Sequence, residues 1–317
     1  MKLDKKDLQI LGILDWNGRM PVTQIAKKVK LNKDVVKYRI TNLEEKGIIR
    51  GYYAIINTHE LGYMTVRIYF DFVGLSEENE KKIIDYLGKK FDASQIFSVE
   101  GDYELGIIIW EKSVYALSKK LNEFRNSFGK YINKENLSIL MDLYHYPRKF
   151  LSDNFKPVSL NESPNLVSLK ESDMLILSEL SKNARITSID LSYKLKIPQT
   201  TVIHRIKELE KKGILLGYRA MIDVSKLGYE NYFLRIYVDN LKEIDKISNL
   251  VKENRNCIYS LSVLSGADLE IETEFEKKSE LLDFIKLLKE KFKSIKTIKY
   301  WSTIKYYKIN YFPSKFR

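Results

Sequence analysis

The 317 residues are 44% hydrophobic and 30% charged, an ordinary globular composition, and a chain this long divides into two or more domains. A formal charge of +12, from 54 Lys and Arg against 42 Asp and Glu, points to an anionic partner, nucleic acid before membrane surface. The sole cysteine, Cys257, rules out an intrachain disulfide; three scattered histidines (His59, His145, His204) rule out a histidine metal cluster; and with neither a signal peptide nor an apolar run of membrane length, a soluble cytoplasmic protein with no cofactor and no membrane partner is expected.

The chain opens with an amphipathic pattern over Asp4 to Asn17, with Leu8, Leu11 and Leu14 expected inward. A second helix is expected over Arg19 to Lys30 and a third over Asn32 to Lys46, joined by the short Leu31-Asn32 connection as a helix-turn-helix. In the third, Val36, Ile40 and Leu43 form one apolar stripe, Asn32 suits the N-cap, and Gly47 suits the left-handed residue that ends the helix. Its other face carries Lys33, Asp34, Lys37, Tyr38 and Thr41, as suits a helix laid in a DNA major groove. Arg39 borders the stripe, placed either for an ion pair with Glu44 or for a phosphate. Ile48 to Asn57 alternates as a strand and completes a winged helix.

The next pattern is different: a strand over Thr65 to Gly74, a helix over Glu77 to Phe91, strands over Ser94 to Gly101 and Tyr103 to Trp110, a helix over Ser113 to Phe128, and a strand over Ile132 to Tyr146. That order is βαββαβ, the ferredoxin-like arrangement. Pro147 to Leu169, with three of the six prolines, reads as an extended linker.

A shift of 166 residues then lays the chain on itself without a gap over about sixty positions. Asp7 meets Asp173, Arg19 meets Arg185, Arg39 meets Arg205, Gly47-Ile48 meets Gly213-Ile214, and Leu61-Gly62-Tyr63 meets Leu227-Gly228-Tyr229. The second copy has helices over Lys170 to Asn183, Arg185 to Lys196 and Gln199 to Lys212, and a strand over Ile214 to Asp223. A βαββαβ pattern follows from Tyr232 to Tyr311. Its reading helix starts after Pro198 instead of a capping Asn. It offers Gln199, Thr200, Thr201, Ile203, His204 and Lys207, where Gln199 and His204 suit base hydrogen bonds and Ile203 suits only packing, as on a thymine methyl. Arg205 is placed like Arg39, for Glu208 or for a phosphate.

The expected class is α+β: two winged helix-turn-helix domains (1–57 and 169–223) and two ferredoxin-like domains (58–146 and 224–317) in tandem, with a linker over 147–168. A module duplicated in this way predicts an intrachain pseudodimer, with Gly51 to Asn57 beside Gly217 to Asp223.

Several motifs carry a family resemblance. Leu3-Asp4, Asn17-Gly18-Arg19, Arg39 followed by Leu43 to Ile49, Gly51-Tyr52 and Leu61-Gly62 resemble the Lrp/AsnC transcription regulators, and Gly101-Asp102-Tyr103-Glu104 resembles that family's Gly-x-Tyr-Asp turn. The resemblance implies a regulator that binds double-stranded DNA, associates through its ferredoxin-like domain, forms dimers or higher assemblies, and often binds an amino acid or similar effector between subunits. It places the effector at Gly101, Asp102, Tyr103 and Glu104, where Asp102 and Glu104 suit an ammonium group; a plain hairpin turn is the alternative. The second copy reads Gly266-Ala267-Asp268-Leu269 there, without the tyrosine. Two other classes remain: an enzyme similar to the haem-pathway decarboxylases of this fold, acting on a tetrapyrrole, and a chromatin or transcription-machinery protein that binds DNA with low specificity.

Overall fold

The structure, a computed structural model, describes residues 3–152, 157–160 and 166–313. In chain order the first copy contains α1 (Lys5–Trp16), α2 (Val22–Val29), α3 (Lys33–Glu45), β1 (Ile49–Ile56), β2 (Met64–Phe72), α4 (Glu77–Lys89), β3 (Gln95–Glu100), β4 (Leu105–Glu111), α5 (Val114–Phe128) and β5 (Ile132–His145). A short strand, β6 (Val158–Leu160), follows. The second copy contains α6 (Glu171–Lys182), α7 (Ser188–Leu195), α8 (Gln199–Lys211), β7 (Leu215–Ile222), β8 (Glu230–Val238), α9 (Ile244–Glu253), β9 (Cys257–Leu264), β10 (Leu269–Phe275), α10 (Lys278–Lys291) and β11 (Ile295–Ile309). The elements group into two compact units, and each unit draws on both copies.

The first unit holds Met1–Asn57, Tyr146–Val158 and Ser168–Tyr229. Asp4 caps α1 and exchanges hydrogen bonds with Asp7 in a capping box. The inward residues of α1 are Ile10, Leu11 and Leu14; Leu8, expected inward, stays 37% exposed. The true stripe sits one step round the helix, against Ile25, Val36, Ile40 and Leu43. Both reading helices end alike. The Gly47 N–H donates to the Glu44 carbonyl and the Ile48 N–H to the Leu43 carbonyl, and Gly213 and Ile214 repeat this on Glu210 and Leu209. This motif needs a left-handed residue, and Gly47 and Gly213 supply it at φ +63° and +68°. Strand β1 pairs antiparallel with β7, placing Tyr52 opposite Ala220 and Tyr53 opposite Arg219. This strand pairing joins the two heads within one chain.

Described parts of the stretch expected as an extended linker pack into the fold. A Cβ on Gly12 would lie 2.9 Å from the Leu151 carbonyl oxygen, so glycine lets residues 151 and 152 run against α1. The Arg148 backbone N–H donates to Asp15 at 3.0 Å, and β6 adds a strand. Residues 153–156 and 161–165 of that stretch lie outside the described residues.

The second unit holds Thr58–His145, Ser159–Val167 and Glu230–Arg317. Its sheet runs in the order β2-β4-β3-β11-β8-β10-β9-β5-β6, with β6 added on β5, and β5 also pairs with β2, so eight of the nine strands close into a ring. Four come from each copy, and β3–β11 and β5–β9 are the seams. Alternation along β2 sends Val66, Ile68 and Phe70 to a core with α4 and α5. Arg67 and Tyr69 point the other way, where charge is buried. The Arg67 guanidinium donates to Glu270 at 3.0 Å and also pairs with Glu272. Arg235 donates to Glu270 at 2.7 Å and to Ser138 at 2.8 Å. Each arginine of one copy thus meets an acceptor of the other. Burial drives the Glu272 carboxyl above its usual range, with Arg67 opposing.

Candidate nucleic-acid interface

On α3 the buried Val36, Ile40 and Leu43 fix the rotation of the helix. Lys33, Asp34, Lys37, Tyr38 and Thr41 therefore stand in solvent, Tyr38 at 70% exposure. Asn32 caps the helix by accepting from the Asp34 N–H at 2.8 Å. On α8 the buried Val202 and Leu209 do the same work. Gln199, Thr200, Thr201, His204 and Lys207 are exposed, and Ile203 is 38% exposed. No side chain caps α8, because Pro198 stands at that position. Gln199 instead donates to Ser188 Oγ at 3.0 Å, which ties the start of α8 to the start of α7.

Arg39 and Arg205 form their ion pairs with acids at the starts of α1 and α6, not with Glu44 or Glu208. Arg39 donates to Asp4 and Asp7, each at 2.7 Å, and Arg205 pairs with the buried Asp173. The reason is the packing of the reading helix across the start of α1 or α6, which sets the arginine over that helix's first turn. Asp4 is held below its usual range by the Asp7 backbone and by Arg39. Glu44 takes the Tyr52 hydroxyl at 2.6 Å, and Glu210 takes that of Tyr218 at 2.7 Å. Asp7 and Asp173 match under the repeat, so the two copies share the arginine pairing.

Sequence reasoning missed Asp15. It is fully buried and accepts from Arg219 Nη2 at 2.8 Å and from Arg148. Burial opposes its ionisation, but Arg219 and Arg148 outweigh burial and hold the carboxyl below its usual range. This carboxylate ties α1 of the first copy to β7 of the second.

The turn Gly101 to Glu104 lies at a seam of the strand ring. Gly101 sits at φ +149°, and a Cβ there would come within 2.8 Å of Trp301 Cβ. Tyr103 is buried beside Tyr69 and Trp301, with ring centroids 5.4 and 5.5 Å away. Both carboxylates expected to hold an ammonium group already have partners: Asp102 pairs with Lys299 at 2.9 Å, and Glu104 accepts from the Phe72 N–H at 3.2 Å. In the second copy the Tyr237 hydroxyl donates to the Gly266 carbonyl at 2.6 Å. Among the described residues no group of His, Cys, Asp and Glu is arranged to hold a metal ion, and no helix is long and apolar enough to cross a membrane.

A family model described as winged helix-turn-helix DNA-binding matches the chain twice, at residues 3–50 and 169–215. The chain is 36% identical over 131 residues to the HTH-type transcriptional regulator LrpA of Pyrococcus horikoshii, covering 87% of that protein with 40% of itself. It belongs to the Lrp/AsnC family. The regulator Ptr1 of Methanocaldococcus jannaschii is 31% identical over 121 residues, covering 80% of Ptr1 and 38% of this chain, and LrpB of Bacillus subtilis is 27% identical over 156 residues, covering 99% and 48%. Each of these Lrp/AsnC relatives is nearly spanned by less than half of this chain, as a tandem duplication requires. A solved structure of the siroheme decarboxylase NirDL aligns over 96% of this chain and 93% of its own at TM-score 0.62 and 12% identity, a likeness of fold alone.

Proposed function

We propose that this Lrp/AsnC chain is a sequence-specific DNA-binding transcription regulator that reads two unlike half-sites with one polypeptide. The observation that carries this reading is the pair of exposed helix faces in the first unit. Lys33, Asp34, Lys37, Tyr38 and Thr41 stand on α3, against Gln199, Thr200, Thr201, His204 and Lys207 on α8. Residues 1–52 carry twelve Lys and Arg against six Asp and Glu, a charge of +6, and residues 168–218 carry nine against six, a charge of +3. The first head supplies more phosphate neutralisation and the second more of the hydrogen-bonding readout. Arg39 and Arg205 position the reading helices.

The test is a salt titration of the purified chain on a selected duplex and on a random one. A specific regulator keeps a preference for the selected duplex of roughly 10³-fold or more. A chromatin-type protein binds both alike. A role for an amino acid at Gly101 to Glu104 requires it to displace the Asp102–Lys299 pair, so a thermal-shift screen of amino acids should be silent for Asp102→Asn wherever the parent responds. The tetrapyrrole-enzyme alternative has the NirDL likeness behind it, and an absorption spectrum of the purified chain separates it from the regulator.

A further inference from the structure

Arg19 and Arg185 hold matching positions in the two copies, and each lies over the tyrosine of the other copy's strand. The Arg185 guanidinium is 4.7 Å from the centre of the Tyr52 ring and that of Arg19 5.1 Å from the Tyr218 ring. The likeness stops there. Arg185 donates to the Tyr52 hydroxyl at 3.2 Å and to the Met20 carbonyl at 3.1 Å. Nη1 of Arg19 is buried with no hydrogen-bond partner among the described residues.

Beside Arg19 opens a cleft of about 430 Å³, walled by Trp16, Ile203, Ile206 and Tyr218, with Lys207 also in its lining. That volume falls within the range of small-molecule sites, roughly 300–1,000 Å³. The carboxylate in the wall, Glu210, already accepts the Tyr218 hydroxyl. A buried guanidinium N–H without an acceptor is unfavourable, and Arg19 lines the cleft, so an anionic oxygen there gains a charge-assisted hydrogen bond. One guanidinium and one ammonium in a lining that also holds Glu210 suit a monoanion better than a phosphate dianion. Two aromatic and two branched aliphatic walls suit an apolar body.

We propose that this cleft binds a small organic carboxylate with an aromatic or branched apolar body, its carboxylate on Arg19 and Lys207 and its body among Trp16, Tyr218, Ile203 and Ile206. The site is separate from the turn Gly101 to Glu104. It does not rest on the DNA-binding reading, because its test uses the protein without DNA.

The experiment is isothermal titration of the full chain with phenylacetate and 4-methylpentanoate, with 2-phenylethanol as the uncharged control. Arg19→Gln removes the cation. Ile203→Trp fills the cleft from a partly exposed helix position and leaves the buried packing in place. The expected result is saturable binding of at least one acid at one site per chain. Both variants should weaken it by about tenfold or more, the alcohol should bind about tenfold more weakly than phenylacetate, and Asp102→Asn should leave it unchanged. The inference is overturned by the absence of saturable binding up to about 10 mM, by alcohol binding as tight as the acid, or by both variants matching the parent.

Discussion

Asp15 shows how much can depend on one buried carboxylate. It receives Arg219 from β7 and Arg148 from the segment after β5, and none of the three charges is well exposed to water. Replacing Asp15 with Ala leaves two buried guanidinium groups uncompensated, a loss of about 3–5 kcal/mol. Chemical denaturation followed by Trp16 fluorescence should report it, since Arg219 lies 5.0 Å from the Trp16 ring. The pH dependence has a definite sign. The folded-state pKa of Asp15 is lowered from 3.8, so its contribution is complete above that value and is lost as pH falls below it. Acid titration of Asp15→Ala should therefore lack a stability loss that the parent shows below pH 3.8. On the reading faces, Lys33→Ala with Lys37→Ala should reduce the salt slope of DNA binding by roughly 1.8, at about 0.9 per phosphate contact. Gln199→Ala with His204→Ala should instead cost about 1–3 kcal/mol per lost base contact, on the selected duplex alone. Equal losses for both pairs on both duplexes would contradict this division of roles.

At the scale of elements, the reading helices were legible because period, cap and stop agree. Asn32, the stripe through Leu43, and Gly47 each specify a different part of α3, and all three lie where the pattern puts them. Replacing Gly47 or Gly213 with Ala should cost each helix end about 1–2 kcal/mol through the left-handed backbone alone. The space differs little in consequence, since a Cβ at Gly213 meets nothing within 4 Å and one at Gly47 meets only the flexible end of Lys226. Thermal melts of the two variants should shift alike. The partners of Arg39 and Arg205 were not legible, because Asp7 and Asp173 lie 32 residues away and only the crossing of two helices brings them close. The docking of residues 151 and 152 in the proline-rich stretch was not legible for a related reason. The composition of the stretch describes the local backbone, whereas the docking depends on the missing side chain of Gly12. The aromatic turn at Tyr103 was recognisable as a motif, but its closure by Trp301 and Lys299 comes from strand pairing between copies.

At the scale of the molecule, duplication has permitted the two halves to diverge into complements. In the ring of strands, Arg67 of the first copy lies where the repeat puts Phe233 in the second, and its acceptors Glu270 and Glu272 belong to the second copy alone. Arg67→Met should leave the buried Glu272 without its cation, while Glu270 keeps Arg235, and destabilise the second unit by about 3–5 kcal/mol. A compensating double change, Arg67→Met with Glu272→Gln, should recover part of that loss in the same denaturation experiment, because Glu270 stays paired with Arg235. The first unit has diverged as well, with Lys33 and Lys37 answered by Gln199 and Ile203. A symmetric regulator reads a palindrome; on the proposed function this chain, with unlike helices tied by β1 and β7, reads an asymmetric site. The most direct test is selection of bound duplexes from random DNA by the full chain, with the mass of the complex measured on the winning sequence. The account predicts two unlike half-sites at a fixed spacing, occupied by a single chain. A palindromic motif occupied by two chains, or no enriched motif at all, would contradict it.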